Sequence, residues 1–195
     1  SLGQFGQIGK NFAMAAVPLG LASIALAPQK ARGASAAFTT MSETPTQALQ
    51  LALTLEYLEE EFYQMGMDAA GLIPAADRDV FGKILQHESD HVDFLVTGLG
   101  TDAIAKPTFD FTANGLFDPF NDYQTFMALA QAFEDTGVRA YKGQAANLMP
   151  TPDLLQAALQ IHSVEARHAS MVRRMRNEKG WIEGSSRGTL PSQAQ

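Results

Sequence analysis

Glu165 and His168 stand three residues apart in IHSVEARH (161–168), and Glu88 and His91 stand three apart in HESDH (87–91). Residues i and i+3 share a helix face, so each pair can aim a carboxylate and an imidazole at one point. Leu154, Ala158, Ile161, Glu165, His168, Val172 and Met175 step by 4, 3, 4, 3, 4 and 3, the seam of a bundle helix. Glu165 and His168 therefore hold positions where such a seam expects leucine. Two further glutamates fall in register with the pairs. Glu56 precedes Glu88 by 32 residues and Glu134 precedes Glu165 by 31. Tyr63 follows Glu56, and Tyr141 follows Glu134, by seven residues, so the two halves repeat at an offset of about 78. Four converging carboxylates would repel and raise one another's pKa, and burying them unpaired is costly. Two divalent cations resolve this, because four glutamates balance two doubly charged ions and two neutral imidazoles complete the set. Mixed carboxylate and imidazole donors suit iron or manganese, with zinc also compatible, better than calcium. The expected metal set is Glu56, Glu88, His91, Glu134, Glu165 and His168.

Other polar residues compete for roles. On a helical wheel Glu59 lies at least as centrally as Glu56. The repeat favours Glu56, because it aligns with Glu134, whereas Glu59 aligns with Gly137 and Glu60 with Val138. Glu59 is left as a supporting or substitute ligand. Tyr63 and Tyr141, two turns from the glutamates, either hydrogen-bond the carboxylates or carry an electron, or are core tyrosines. His162 lies one turn before Glu165 on an adjacent stripe and reads as a supporting or core histidine. His87 points about 100° from Glu88, toward the surface or a supporting position. Asp90 and Asp93 read as solvated, with orienting the histidines as the alternative. A lone ExxH on a surface helix is usually a solvated pair; two of them with two matched glutamates are a specific signal.

Four helices must position these groups. The first opens at Thr44-Pro45, a cap with proline at the first helical position, and runs to about Ala70 before Gly71. The second runs from about Ala75 to Thr97, the third from about Asn121 to Leu148, and the fourth from Thr151-Pro152 to about Lys179 before Gly180. Arg173, Arg174, Arg176 and Lys179 crowd the last turns, which suits the negative helix end. Between the second and third helices lies a long connection with Phe109, Phe111, Phe117 and Phe120, which reads as packed. Short, long, short connections describe an all-α four-helix bundle with one long crossover.

One glutamate from each of two helices and Glu-x-x-His from each of the others is the ligand pattern of di-iron and di-manganese carboxylate bundles. The chain resembles the ferritin-like superfamily over about residues 45–178. LTLEYLEEEFY (53–63), HESDH and VEARH most resemble the bacterial exported, desiccation-related ferritin-like group. That resemblance implies redox work on O₂, peroxide or ferrous iron, with Glu56 and Glu134 as bridging or terminal carboxylates and the two ExxH pairs anchoring the ions.

The remainder bounds the function. With 46% hydrophobic and 18% charged residues the chain has a globular profile. A net charge of −7 argues against nucleic acid as a partner. The absence of cysteine excludes thiol catalysis, Cys-ligated iron–sulfur and a rubredoxin-like electron relay within the chain. Three segments are expected: an apolar N-terminal segment with linker (1–40), the bundle (41–180) and a polar tail (181–195). Lys10, the uncharged FAMAAVPLGLASIALA (12–27) and small residues ending Ala34-Ser35-Ala36 read as an export signal. A retained segment that anchors the chain or packs on partner chains is the leading reading, ahead of an uncleaved export signal and an ordinary buried helix. The start at Ser1 reads as a processed or partial product. Expected partners are further copies of the chain or other protein chains through 1–40, or a membrane, in an exported, periplasmic or envelope setting. The competing function is structural, with the bundle as scaffold and any metal as a staple.

Overall fold

The computed structural model describes residues 44–182 and 189–190. The apolar segment 1–40 and most of the tail therefore lie outside the described residues. Four helices follow in order: α1 (Pro45–Asp68), α2 (Arg78–Leu99), α3 (Tyr123–Leu148) and α4 (Pro152–Met175). A single 3₁₀ turn (Gly100–Asp102) follows α2, and the described residues contain no strand. The helices pack chiefly as α1 on α2 and α3 on α4, with α1 against α3 joining the pairs.

Local chemistry sets the ends. Thr44 opens α1 with a reciprocal capping box: the Gln47 N–H donates to Thr44 Oγ1 at 3.2 Å, and the Thr44 N–H donates to Gln47 Oε1 at 3.0 Å. The second helix starts at Arg78, not near Ala75: a turn closed by Asp77 N–H on the Pro74 carbonyl at 2.9 Å precedes it, and the Asp77 carbonyl accepts from Phe81 N–H at 3.2 Å. Asp122 caps α3, accepting from Thr125 N–H at 2.8 Å, so that helix begins two residues after the expected Asn121. The largest shift is at the end of α4. Asn177 takes a left-handed φ of 59°, and Glu178 N–H and Asn177 N–H bond back to the Arg173 and Arg174 carbonyls at 2.8 and 2.9 Å. This closes the helix at Met175 with a Schellman motif, well before Gly180. Arg173 also departs from its expected place at the helix dipole. It is buried and forms a two-pronged ion pair with buried Asp135 of α3.

The core has two apolar blocks. One gathers Leu58, Phe62, Phe81, Phe126, Phe133 and Val172, with Phe109 and Phe111 of the crossover buried against it; the crossover is packed, as its phenylalanines predict. The other gathers Leu49, Leu53, Val92, Leu95, Leu148 and Ile161. Gly66 of α1 sits under the Phe126 ring, where an added Cβ would lie 2.3 Å from Cε2. Phe126 has no exposed surface and stacks on Phe62 at 4.8 Å, so it cannot swing away. Gly66→Ala should destabilise the fold by about 1–3 kcal/mol, as overpacking does. A lowered denaturant midpoint at unchanged slope would register this.

Candidate metal centre

Between the apolar blocks lies a polar layer fed by all four helices. Glu56 (α1), Glu88 and His91 (α2), Glu134 (α3), and Glu165 and His168 (α4) converge there. The four glutamates have no exposed surface, and the two histidines are 9% and 5% exposed. His91 Nδ1 lies 3.2 Å from Glu56 Oε2, 3.1 Å from Glu88 Oε2 and 3.2 Å from Glu165 Oε1. His168 Nδ1 lies 2.8 Å from Glu88 Oε1 and 3.4 Å from Glu134 Oε2. All six expected residues are thus brought together.

The grouping is more specific than a cluster. Glu56, Glu88, His91 and Glu165 can each offer a donor atom within 4.8 Å of the others, and so can Glu88, Glu134, Glu165 and His168. The two quartets share Glu88 and Glu165. Bridging and terminal roles for Glu56 and Glu134 are both open from the spacing. The geometry separates them: Glu88 and Glu165 can reach both positions, while Glu56 and Glu134 each reach one.

The donor set fits a pair of divalent ions on a further observation. Glu88 Oε1, Glu134 Oε2, both Glu165 oxygens and His168 Nδ1 are buried without a hydrogen-bond partner. Yet His168 Nδ1 and Glu88 Oε1 are only 2.8 Å apart. The failure to hydrogen-bond at that distance is one of angle, not of reach. Buried polar atoms are rarely left so, and metal ligands are the group for which this arrangement is expected.

The electrostatics are those of a crowded anionic layer. Burial pushes Glu56 from its ordinary 4.5 up to about 7. Burial, ahead of the neighbouring charges, also raises Glu134 and raises Glu59 and Glu165 far more. Burial acts on Glu88 too, but His168 and His91 beside it prevail and hold it at about 2. Burial works against a charged imidazole, yet contact with Glu165, Glu56 and Glu88 lifts His91 to about 12. Glu134 and Glu88 likewise lift His168 to about 11. All of these groups except Glu88 hold protons that a divalent cation must displace.

The tyrosines cross over between the halves. Tyr63 of α1 donates to Glu134 Oε1 of α3 at 2.5 Å, and Tyr141 of α3 donates to Glu56 Oε1 of α1. Glu134 and Glu56 are thereby each oriented by a buried phenol from the other half. Burial first, then the adjacent carboxylate, raises both phenol pKa values, so both keep their protons. Asp90 and Asp93 are exposed, as solvated groups. His162 stands in neither quartet; it is half-buried and its Nδ1 is enclosed without a partner.

His87 is closer to the centre than its place on the helix wheel suggests. Its ring stacks on His168 with centroids 5.2 Å apart, and its Nδ1 lies 2.9 Å from His168 Nε2. His168 turns Nδ1 toward the carboxylates, so a metal held there would leave the proton on Nε2, from which it would donate to His87. Val164 takes the matching position one residue before Glu165, so the repeat carries no signal for this contact. His87→Phe keeps the stacking surface and removes the acceptor. Metal affinity should fall about 10–100-fold, the usual effect of losing such a partner. His87→Asn, which restores an acceptor, should recover most of it in a chelator competition assay.

The family model for the ferritin-like domain matches residues 44–178. No curated protein and no solved structure matches the chain. The matched span covers all four helices and the whole polar layer, and the chain belongs to the ferritin-like domain family.

Proposed function

We propose that this chain is a di-metal carboxylate protein that handles iron, O₂ or peroxide in redox protection. The observation that carries the proposal is the pair of overlapping buried quartets sharing Glu88 and Glu165. Iron or manganese, bound by Glu56 and His91 on one side and Glu134 and His168 on the other, would supply the electron transfers; zinc would supply none. The chain's own residues do the rest. Tyr63 and Tyr141 fix the carboxylates of Glu134 and Glu56 by donating a hydrogen bond to each. The two apolar blocks exclude bulk water from the layer, which strengthens each electrostatic contact inside it. A small apolar void of about 20 Å³ beside Tyr141, lined by Leu49, Phe94, Leu95, Ala158 and Ile161, suits a molecule of the size and polarity of O₂.

The finer placement, with exported proteins of the desiccation-related type, rests on LTLEYLEEEFY, HESDH and VEARH and on the signal-like segment before the bundle. On the same reading residues 1–40 direct export or dock on further copies, other chains or a membrane. No helix among the described residues is long and apolar enough to cross a membrane.

Elemental analysis of protein from its native source is the direct test. About two iron or manganese ions per chain are expected. Protein without transition metal would overturn the redox reading in favour of a scaffold role for the bundle.

A further inference from the structure

The two halves of the centre differ at one position in the middle of the layer. Glu59 stands three residues after Glu56; three residues after Glu134 stands Gly137. Tyr63 meets Glu134 and Tyr141 meets Glu56, so α1 and α3 run antiparallel across the layer. Glu59 and Gly137 then lie midway between those two contacts, on the axis that exchanges the halves. A Cβ added at Gly137 would lie 3.1 Å from Glu165 Oε2 and 3.3 Å from Glu59 Oε1. The two carboxyls thus close over the bare Gly137 backbone. Gly137 is helical with an ordinary backbone, so its glycine serves space, not conformation. A second glutamate there would contend for the volume that Glu59 fills.

Glu59 itself is 2% exposed, and its Oε2 has no hydrogen-bond partner. Neither His91 nor His168, which pair with the four other glutamates, pairs with Glu59. A buried carboxyl with an oxygen left unpartnered is costly, and leucine would cost less there. Glu59 stands in neither quartet, but its Oε1 and Glu165 Oε2 flank one point over Gly137, which sets it beside a glutamate common to both.

We propose that Glu59 is a seventh ligand of the metal pair, a single carboxylate seated by Gly137 on the axis of the repeat, which makes two otherwise equivalent metal positions unequal. This rests on the di-metal reading above. It predicts that the ions load in two separable steps. Gly137 is then a positioning residue, acting through the room it leaves for Glu59 and Glu165.

Titration of metal-free full-length protein with Co(II) tests this, because the visible bands of Co(II) gain intensity as coordination number falls. The wild-type chain should take up about two Co(II) with clearly different affinities. Glu59→Gln preserves shape but offers a poor ligand. It should weaken the tighter step by at least the ~10–100-fold that loss of a mere supporting partner produces, bring the two steps together and intensify the bands. Its metal-free form should melt no lower than wild type, since a costly buried carboxyl has gone. Gly137→Ala should weaken binding in the same direction by crowding both carboxyls, and it serves as the test if Glu59→Gln does not fold. Wild-type affinities and spectrum in Glu59→Gln would overturn the proposal and leave Glu59 a hydrogen-bonding neighbour. No Co(II) uptake by the wild-type chain would sink the di-metal reading itself, so the two failures are distinct.

Discussion

Glu165→Gln should cost the chain both metal ions, not one. Its carboxylate belongs to both quartets. Its Oε1 faces His91 at 3.2 Å, and its Oε2 lies on the side of Gly137 and Glu59. An amide in its place keeps the shape but removes a charge and a donor from each position. Two divalent ions would then face one carboxylate fewer, with their mutual repulsion less well screened. We expect affinity to fall by at least about 100-fold, beyond the upper end of what outer partners contribute, and metal content after equilibrium dialysis to drop from about two per chain to near zero. Glu134→Gln is the control. Glu134 belongs to one quartet only, so that variant should keep one ion. Adding His168→Ala to a change at Glu165 should remove little more, because residues acting as a unit are not additive. Both ions retained in Glu165→Ala/His168→Ala would show that the ligand assignment is wrong.

The contrast between Glu165 and Glu134 marks how far the sequence could be read. The ExxH spacing and the offset repeat bring six residues to one layer, and the structure places all six there. Helix existence was legible because each helix has a seam, a cap or a proline to announce it. What escaped the sequence depends on contacts between helices. Which glutamates are shared follows from how α2 and α4 face each other, and no spacing within one helix encodes that. His87 looked peripheral because its own helix turns it away from Glu88; it is α4 that brings His168 to it. Arg173 looked like a dipole charge because its partner, Asp135, lies on α3. The end of α4 was missed for a local reason: asparagine can take the left-handed cap that glycine usually takes, and Asn177 precedes Gly180. The tyrosine crossing was half visible. The seven-residue spacing in each half suggested Tyr63 and Tyr141 as partners of carboxylates, but not that each reaches the glutamate of the opposite half. That crossing ties α1 to α3 through the layer itself, so the ligand geometry and the joining of the two helix pairs are one structural feature.

Metal should stabilise the chain strongly above neutral pH and weakly near pH 5, and the sign follows from the layer. In the metal-free folded state Glu56 titrates at about 7 against an ordinary 4.5. Between those values the folded chain holds a proton that the unfolded chain has released. His91 and His168, lifted from 6.5 to about 12 and about 11, do the same at higher pH. In both windows the folded state binds more protons than the unfolded state, so metal-free stability falls as pH rises. The contribution of the imidazoles is complete below 6.5 and is lost as pH climbs through their folded values. Glu88 works in the opposite direction, but its window lies between 4.5 and about 2, below the range of interest. A divalent ion must displace the same protons, so its affinity grows where metal-free stability fades. With free metal at about 1,000 times Kd, each site contributes about 4 kcal/mol. Two sites give about 8 kcal/mol, and a domain of this size gains about 2–4 °C per kcal/mol. The midpoint of thermal unfolding should therefore rise by roughly 15–30 °C on metal addition at pH 8 and by only a few degrees, on the order of one tenth of that, at pH 5. Scanning calorimetry with and without metal at the two pH values measures both shifts. Equal shifts at pH 5 and pH 8 would mean that the ions do not bind at the proton-holding carboxylates and imidazoles of this layer.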